Sequence, residues 1–459
     1  MADPGGYDIV ILGGGSGGYA CALRAAELGK RVALVEKDKV GGTCLHRGCI
    51  PTKALLHAAE LADQAREGAS FGVRTTLDGI DMAGVNAYKD KVVNRLWRGL
   101  TGLVGSRHID VIEGEGRLVS PTQVQVGDTL LTGEHVVLAS GSQARSLPGL
   151  EIDGQRVITS DHALLLDRVP ASVVILGGGV IGAEFASVWR SFGAEVTIVE
   201  MLPHLLPAED ENSSKLLERA FRRRGIGYKL GARFEGVKDT GTGVTVTLEG
   251  GTTLDADLLL VAVGRGPLSA GLGYEDTGVS MDRGYVTVDE YCQTSVPTIS
   301  AVGDLTPGPQ LAHAGFGEGI LVAERLAGLP VTPIDYDGVP RVTYSHPEVA
   351  SVGITSATAA ERGIATTEVL YDLAGNGKSQ ILQTQGAAKV IATEGGGPVL
   401  GIHLVGDRVG ELIAEGQLIY NWEATPGDVA QLIHPHPTQS EMLGEAHLAL
   451  AGKPLHFHS

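Results

Sequence analysis

The first 36 residues alternate apolar runs with a glycine-rich turn, a pattern that predicts a strand, a turn, a helix and a second strand. The apolar run Ile9–Leu12 leads into the turn 13–18, an alanine-rich stretch continues to Gly29, and Val32–Glu36 is again mostly apolar. Glycines let a backbone turn sharply and approach a neighbour closely. The chain is therefore expected to begin with a parallel strand–helix–strand unit.

This unit recurs 164 positions later without a gap. The matched glycines are Gly13, Gly15 and Gly18 in the first copy and Gly177, Gly179 and Gly182 in the second. In each copy an acidic residue, Glu36 or Glu200, stands 23 positions after the first glycine. Such glycines admit a pyrophosphate to a helix N-terminus, and such a carboxylate accepts from a ribose hydroxyl. One copy alone is commonly only a tight connection, whereas two complete copies predict two dinucleotide sites.

The two predicted dinucleotide sites are expected to bind different cofactors. A carboxylate at Glu200 repels a 2′-phosphate, so the second site is expected to take NAD rather than NADP. Glu36 lies eight residues before Cys44, so the first cofactor is expected to exchange electrons with a thiol. We expect FAD there.

The apolar pattern continues in the same alternating style to about residue 340 and then changes. Helices are predicted at Ala54–Ala69, Val85–Val104, Ser214–Arg224 and Ala314–Leu326, and strands at Gln123–Val126, Val136–Ser140, Val244–Leu248, Leu258–Val263 and Thr298–Val302. Pro148-Gly149 marks a boundary. From about Arg341 strands alternate with amphipathic helices, at Val409–Tyr420 and Pro426–Ile433, which indicates a differently built unit.

Composition narrows the class of partner. The 459 residues carry a net charge of −18, which argues against nucleic acid or an anionic membrane as the main partner. The longest apolar stretch, Val173–Ala183, is interrupted by glycine and is too short to span a bilayer. No Lys or Arg precedes Arg24, so Ile9–Leu12 lacks the basic lead of a signal peptide. A cytoplasmic protein is expected.

Two of the four cysteines, Cys44 and Cys49, stand five positions apart in the stretch Gly41–Lys53. Pro51 is tolerated in a first helical turn, so Cys49 is expected near a helix N-terminus, where the dipole favours a thiolate. In a reducing compartment a close pair is more often catalytic than structural, although a bare pair is commonly two unrelated buried thiols.

These motifs together closely resemble the FAD-dependent pyridine nucleotide–disulfide oxidoreductases, and the resemblance covers essentially the whole chain. It rests on the two glycine turns with Glu36 and Glu200, on Gly41–Lys53, on Glu184, Gly264-Arg265 and Gly303-Asp304, on Leu311-Ala312-His313, and on the tail His434–Glu441. The implied fold is α/β: two Rossmann-like domains for FAD and NAD and a C-terminal α+β interface domain. The expected segments are 1–150 for FAD with the redox disulfide, 151–270 for NAD, 271–340 completing the FAD site and 341–459 for dimerisation.

The resemblance also implies a role for each motif residue. Cys49 is the thiol beside the flavin, Cys44 is the thiol that meets the substrate, and His436 is the base, oriented by Glu441 across a cis His436–Pro437 bond. Lys53 stands four residues after Cys49, on the same helical face. Glu184 puts a carboxylate in a helix that is otherwise built to be buried, and Lys53 is its expected partner. FAD is expected to contact Gly42, Thr43, Lys53, Gly116, Ser140, Gly141, Asp304 and Ala312, and NAD is expected to contact Glu184 and Gly264, besides the two glycine turns and their acids.

The implied activity is oxidation of protein-bound dihydrolipoyl groups, with electrons passing through the disulfide and FAD to NAD+. The implied partners are a second copy of the chain, whose histidine completes each active site, and the lipoyl domains and E2-type subunits of 2-oxo acid dehydrogenase complexes or the glycine-cleavage lipoyl carrier. A glutathione-type reductase would want basic residues at Glu200, and a mercuric-type reductase would want a cysteine pair in the tail. A purely structural subunit would not need the intact catalytic set.

The remaining candidate residues are interpreted as structural. His434, His456 and His458 are expected on the surface rather than in a metal site, and Cys21 and Cys292 in the core. His46-Arg47 replaces the more usual Asn-Val between the cysteines, and its positive charge is expected to lower a thiol pKa or to alter substrate approach.

Overall fold

The computed structural model describes residues 6–457. The chain forms two compact units, each assembled from separate segments. The first comprises residues 6–54, Ala83–Arg145 and Gly264–Tyr336, and the second comprises Leu55–Met82, Ser146–Val263 and residues 337–457.

The first unit is built on a central parallel sheet. Its strands run in the order Asp110–Glu113, Val32–Glu36, Tyr7–Leu12, Thr129–Leu138 and Ile299–Ala301. The long strand Thr129–Leu138 also pairs antiparallel with Gln123–Val126, which pairs with Gly116–Ser120. Two short ladders join Ser142–Ala144 to Arg265–Pro267 and Met281–Asp282 to Tyr285–Val286. The helices are Ser16–Glu27, Gly42–Arg47, the start of Cys49–Glu67, Met82–Ser106 and Ala312–Leu326, with 3-10 turns at Glu275–Thr277 and Gly303–Leu305.

The second unit contains three sheets. The parallel sheet runs in the order Ile226–Lys229, Glu195–Val199, Ser172–Leu176, Leu258–Val261 and Val157–Ile158. A three-stranded antiparallel sheet joins Phe234–Asp239, Val244–Leu248 and Thr253–Ala256. A five-stranded antiparallel sheet runs in the order Arg341–Thr343, Glu348–Gly353, Val399–Gly406, Ala387–Thr393 and Thr366–Asp372. The helices are Ser160–Ala163, Val180–Phe192, Glu211–Arg223, Ser356–Glu361, Gly377–Leu382, Val409–Asn421, Pro426–Val429 and Glu441–Leu450, with 3-10 turns at Gly68–Phe71 and Leu373–Gly375.

The predicted internal repeat is confirmed down to strand register. Ile9 pairs with Val32 in the first sheet, and Val173 pairs with Val196 in the second, each pair displaced from the other by the same 164 positions. The pairings of the next three residues along each strand follow the same rule. Equal register means that the two acidic residues leave their sheets at equivalent places.

The predicted α/β fold class is confirmed, and most predicted elements lie within a few residues of the observed ones. The pattern predicts a helix over Pro426–Ile433, but the helix ends at Val429, with Ala430 as its C-cap. Pro435 disfavours a further helical turn near His434, because the residue before a proline avoids helical geometry. Among residues 6–457 no helix has both the length and the apolar character required to cross a bilayer.

A buried ion pair joins two segments of the second unit. Lys389 Nζ lies 3.0 Å from Asp210 Oδ2 and 3.1 Å from Glu368 Oε2. Asp210 also caps the helix Glu211–Arg223 by accepting from the backbone N–H of Asn212. One carboxylate therefore links the loop that follows Glu200 to the C-terminal sheet.

Candidate active site

The first glycine turn forms a cradle between a strand and a helix. Gly13 has a φ of +114°, and a Cβ there would lie 2.2 Å from the carbonyl oxygen of Ala139. A Cβ on Gly15, by contrast, would meet nothing within 4 Å. Gly15 is the N-cap of the helix Ser16–Glu27, and as a glycine it has no side chain that could cap the helix. Space beside uncapped N–H groups is what a pyrophosphate requires, so the residues present fit a dinucleotide.

Glu36 is fixed at the end of the neighbouring strand. Its Oε2 accepts from the N–H of Gly14 at 2.8 Å, and its Oε1 accepts from the N–H of Asp38 at 2.9 Å. Burial raises the pKa of this carboxyl, and the Gly14 hydrogen bond opposes that effect. The carboxylate of Glu36 thus fixes the glycine turn through Gly14. The same carboxylate occupies the position predicted to contact a ribose.

The cysteine-bearing segment rests directly on this turn. Gly41 donates its N–H to the carbonyl of Gly14 at 2.8 Å, and a Cβ on Gly42 would lie 2.6 Å from Gly15 Cα. Both Gly41 and Gly42 have positive φ. Glycine at these two positions therefore permits the backbone of the cysteine segment to pack against the cradle.

Cys44 and Cys49 lie on two successive helices. Cys44 is in Gly42–Arg47, and Cys49 begins Cys49–Glu67, as the position of Pro51 predicts. The structure holds both as free thiols. A hydrogen bond with Cys49, followed by burial, raises the pKa of Cys44, and the charge of Lys53 opposes the rise. Two adjacent thiols in hydrogen-bond contact can be oxidised to a disulfide by losing two electrons and two protons.

The two basic residues between the cysteines, His46 and Arg47, make structural contacts. His46 Nε2 lies 3.0 Å from the carbonyl oxygen of Val40, and Arg47 pairs with Asp38. The basic side chain that opposes the raised pKa of Cys44 is Lys53. Sequence reasoning also overlooked Tyr19, whose phenol pKa is raised to about 12 by burial and by the charges of both cysteines.

A second turn, Gly303–Leu305, is anchored to the same region. Ser142 Oγ donates to Asp304 Oδ2 at 2.5 Å, and Arg265 Nε donates to Ser142 Oγ at 2.8 Å. Arg265 Nη2 lies 3.5 Å from Thr43 Oγ1, next to Cys44. The network thus joins the candidate flavin contact Asp304 to the helix that bears the first thiol.

Glu318 is a further residue that the sequence interpretation missed. It is 1% exposed, and its Oε2 accepts from the N–H of Gly303 at 2.5 Å while its Oε1 accepts from Tyr336 Oη at 2.8 Å. Burial raises its pKa, and the nearby charge of Asp304 adds to the rise. A carboxylate inside the mostly apolar helix Ala312–Leu326 is the same signal that singled out Glu184, and it would have found Glu318.

The other residues predicted to contact FAD lie around this sheet of the first unit. Gly116 begins a strand and would clash with Leu12 if it carried a Cβ, while Gly141 has a φ of +74°. Ser140 Oγ donates to the carbonyl of Leu268 at 2.6 Å and accepts from Tyr274 at 2.9 Å. Ala312 is the first residue of its helix.

In the second unit, the second glycine turn reproduces the first. A Cβ on Gly177 would lie 2.3 Å from the carbonyl oxygen of Ala262, whereas one on Gly179 would meet nothing within 4 Å. Glu200 is 8% exposed, and it accepts from the N–H groups of Gly178 at 2.7 Å and Leu202 at 2.8 Å. The cradle fits a second dinucleotide by the same criterion as the first.

Glu184 and Gly264 lie in different surroundings. Glu184 is 3% exposed in the helix Val180–Phe192, which also contains Gly182, and its Oε1 accepts from the N–H of Tyr344 at 3.0 Å. Gly264 belongs to the first unit, has a φ of +103°, and accepts through its carbonyl from the N–H of Arg145.

The tail carries an exposed histidine–carboxylate pair. His436 Nδ1 lies 2.8 Å from Glu441 Oε1, and the His436 side chain is 76% exposed. Glu441 Oε2 accepts from the N–H of Thr438 at 2.8 Å. The expected cis His436–Pro437 bond is confirmed. Burial raises the pKa of Glu441, but the Thr438 hydrogen bond and His436 outweigh it and hold that pKa below the ordinary value.

The structural interpretation of the remaining histidines and cysteines needs one correction. His434 is not a surface residue: its side chain is 11% exposed, pairs with Glu415 at 2.7 Å and packs on Gly444. His456 is 67% exposed, as expected, and His458 lies outside the described residues. Cys21 and Cys292 are confirmed as core thiols, with their pKa raised by burial to about 12. No cluster of metal ligands occurs among residues 6–457.

Comparisons with known proteins agree with this geometry. The family described as pyridine nucleotide-disulphide oxidoreductase matches residues 7–319, and its dimerisation domain matches residues 339–447. Dihydrolipoyl dehydrogenase of Bacillus subtilis is 41% identical over 98% of this chain and 99% of its own length, and the mitochondrial enzyme of Pisum sativum is 38% identical over 98% and 92%. The crystal structure of LpdA from Mycobacterium tuberculosis matches with a TM-score of 0.90 at 29% identity, covering 96% of this chain and 99% of that one.

Proposed function

The chain belongs to the pyridine nucleotide-disulphide oxidoreductase family, and we propose that it acts as a dihydrolipoyl dehydrogenase. It oxidises protein-bound dihydrolipoyl groups to the lipoyl disulfide and reduces NAD+ to NADH. The observation that carries the proposal is the contact between Cys44 and Cys49, on a segment packed against the first glycine turn. Likeness to dihydrolipoyl dehydrogenases over nearly the whole chain selects this substrate among those of the family.

FAD and NAD are the cofactors. We assign FAD to Gly13, Gly15, Gly18, Glu36, Gly42, Thr43, Lys53, Gly116, Ser140, Gly141, Asp304 and Ala312. We assign NAD to Gly177, Gly179, Gly182, Glu184, Glu200 and Gly264. When bound, FAD carries an electron pair from the two thiols to NAD+. The buried Glu200 supports NAD over NADP, because a 2′-phosphate would face its carboxylate.

The thiol chemistry follows from the catalytic residues. Starting from the Cys44–Cys49 disulfide, His436 Nε2 takes the proton of a substrate thiol, and the resulting thiolate attacks Cys44 Sγ. The disulfide bond breaks, and Cys49 leaves as a thiolate. The second substrate thiol then displaces Cys44 from the mixed disulfide and closes the lipoyl ring, and its proton passes to the departing Cys44 Sγ. Both electrons of the substrate now reside on the two cysteines.

Two supporting roles complete the assignment. Glu441 accepts from His436 Nδ1 and leaves Nε2 as the atom that accepts the proton. Lys53 acts beside the thiols, where its charge already opposes the raised pKa of Cys44.

The working assembly is proposed to be a homodimer in which His436 serves the site of the other copy. The exposure of the His436 side chain and the match of residues 339–447 to the dimerisation domain support this. The proposed segments remain 1–150, 151–270, 271–340 and 341–459. The proposed partners are lipoyl domains with E2-type subunits of 2-oxo acid dehydrogenase complexes, or the glycine-cleavage lipoyl carrier. Four free cysteines suit a reducing compartment, and we propose the cytoplasm.

A steady-state comparison tests the function. NADH formation from dihydrolipoamide and NAD+ is expected to exceed NADPH oxidation with glutathione disulfide by orders of magnitude. Cys44→Ser and Cys49→Ser variants are each expected to lose the dihydrolipoamide reaction while retaining FAD, whose contacts lie mainly in the glycine turn and Glu36. Preferential reduction of glutathione disulfide would reject the assignment.

A further inference from the structure

The helix Met82–Ser106 is long and unusually exposed. Of its 25 residues, all of which the structure describes, Lys89 and Val104 alone are buried. Tyr88 is 40% exposed and Leu96 is 45% exposed, so apolar side chains also face solvent. A helix that buries so little against its own chain has surface available for another molecule.

The charge of this helix opposes that of the protein. It carries four cations and one carboxylate, a net charge of +3, in a chain whose net charge is −18. Lys91, Arg95 and Arg98 are exposed and follow the i, i+4, i+7 spacing of one helical face. Within the described part of the chain none of these three forms an ion pair. The face that these three residues form is therefore positively charged.

The helix is anchored beside the candidate thiols. The rings of Trp97 and His46 meet edge to face with centroids 6.2 Å apart, and His46 is two residues beyond Cys44. Lys39 Nζ lies over the same Trp97 ring at 5.0 Å. A fourth exposed cation thus lies between the helix and the cysteine segment. An electrostatic field reaches about 8–10 Å in physiological salt, which spans the width of a helix.

We propose that Lys91, Arg95, Arg98 and Lys39 form a docking surface for an acidic protein surface, that of the protein that delivers the dithiol substrate to Cys44. This inference rests on the proposed function. The remainder of the chain is strongly negative and repels an acidic partner, so one basic surface beside the thiols both attracts and orients it. Tyr88 and Leu96 supply apolar contact area next to the cations.

The proposed docking surface can be tested on the wild type by measuring whether kcat/KM rises or falls as salt is added. The substrates are a recombinant dihydrolipoyl domain of net negative charge and free dihydrolipoamide, which is neutral. For the domain, kcat/KM is expected to fall as salt is added, because screening weakens the attraction. Two net-negative proteins without such a surface would react faster in salt, so a rise or an unchanged kcat/KM would overturn the proposal. Free dihydrolipoamide is expected to show little dependence.

Charge reversal locates the effect. The triple variant Lys91→Glu, Arg95→Glu, Arg98→Glu is expected to lower kcat/KM for the domain about tenfold at low salt, with free dihydrolipoamide unchanged. Arg219→Glu, Arg223→Glu, Lys229→Glu makes the same charge change elsewhere on the chain and is expected to cost far less. Equal losses in the two variants, or equal losses with both substrates, would reject the surface. If the wild type fails to oxidise free dihydrolipoamide, the proposed function itself fails. Arg98→Glu alone is the milder variant should the triple not fold.

Discussion

His436 Nδ1 lies 2.8 Å from Glu441 Oε1, although the imidazole side chain is about three-quarters exposed. The carboxylate is itself fixed, because its second oxygen accepts from the N–H of Thr438. An imidazole held at one nitrogen and open at the other is oriented to take a proton from an incoming thiol. Its exposure in a single copy is what a residue destined for a neighbour's site would show.

Glu441→Gln is expected to lower kcat with dihydrolipoamide about a hundredfold, since it removes the carboxylate that orients the base. The chain provides a matched control on the same helix. Glu445 contacts His456 Nδ1 at the same 2.8 Å, and Glu445→Gln is expected to leave kcat near the wild-type value. Similar losses in both variants would show that helix packing, rather than the catalytic pair, is affected.

Glu200→Arg is expected to shift the ratio of kcat/KM for NAD+ to that for NADP+ at least about tenfold towards NADP+ (about 1.4 kcal/mol). The variant also loses the hydrogen bonds to Gly178 and Leu202, so absolute rates with both cofactors are expected to fall. Glu36→Arg, at the equivalent position of the first copy, is expected to weaken FAD retention and leave the ratio unchanged. An unaltered ratio in Glu200→Arg would mean that this carboxylate does not read the ribose.

Glu318→Leu is expected to weaken FAD retention about tenfold or more, because one charge-assisted hydrogen bond to the Gly303 N–H is worth roughly 1.5–3 kcal/mol. The loss is measured as flavin fluorescence released on dilution. Glu318→Gln keeps a hydrogen-bond acceptor, so its FAD retention is expected to lie between that of Glu318→Leu and that of the wild type. Tyr336→Phe tests the contribution of the second carboxylate oxygen, Oε1, which accepts from the Tyr336 hydroxyl. Wild-type retention in Glu318→Leu would remove this residue from the flavin site.

Some of this arrangement is readable from sequence because it is local. Gly13 and Glu36 occupy one strand–helix–strand unit, and Pro51 limits where a helix that contains Cys49 begins. The Ser142–Asp304 hydrogen bond joins residues 162 positions apart. The sequence around either residue does not indicate that the two side chains are in contact. The prediction for His434 is wrong because its partner is also distant in the local structure. Glu415 lies on another helix, so the sequence alone suggests a surface histidine.

The buried Asp210–Lys389 pair predicts a pH-dependent stability. Burial raises the pKa of Asp210, but the proximity of His403 and Lys389 outweighs it and lowers the pKa to about 2. A depressed pKa stabilises the fold above the unfolded value near 3.8, and that contribution is lost as the pH falls towards 2. With allowance for solvent screening it amounts to roughly 1–2 kcal/mol.

Asp210→Asn is therefore expected to lower the free energy of unfolding by about 1–2 kcal/mol at pH 7, since Lys389 keeps only the more exposed Glu368 as an ion-pair partner. The difference from the wild type is expected to narrow between pH 4 and pH 2.5 in urea unfolding curves. Glu211→Gln, in the neighbouring exposed ion pair with Lys215, is the control and is expected to change little. A deficit for Asp210→Asn that is constant with pH would show that it does not arise from the charge of the carboxylate, since asparagine also caps a helix N-terminus.

The last prediction concerns which copy supplies the base. If each site takes its cysteines from one chain and His436 from the other, co-folding Cys44→Ser with His436→Ala restores activity. Random pairing makes half the dimers mixed, and one of the two sites in each is intact, so about a quarter of wild-type activity is expected. The double variant Cys44→Ser/His436→Ala, co-folded with wild type, is the converse control. Shared sites leave only pure wild-type dimers active, again about a quarter, whereas a base acting within its own chain leaves about half. The same within-chain arrangement would give the first mixture no recovery above the separate variants, so the two mixtures together distinguish the arrangements.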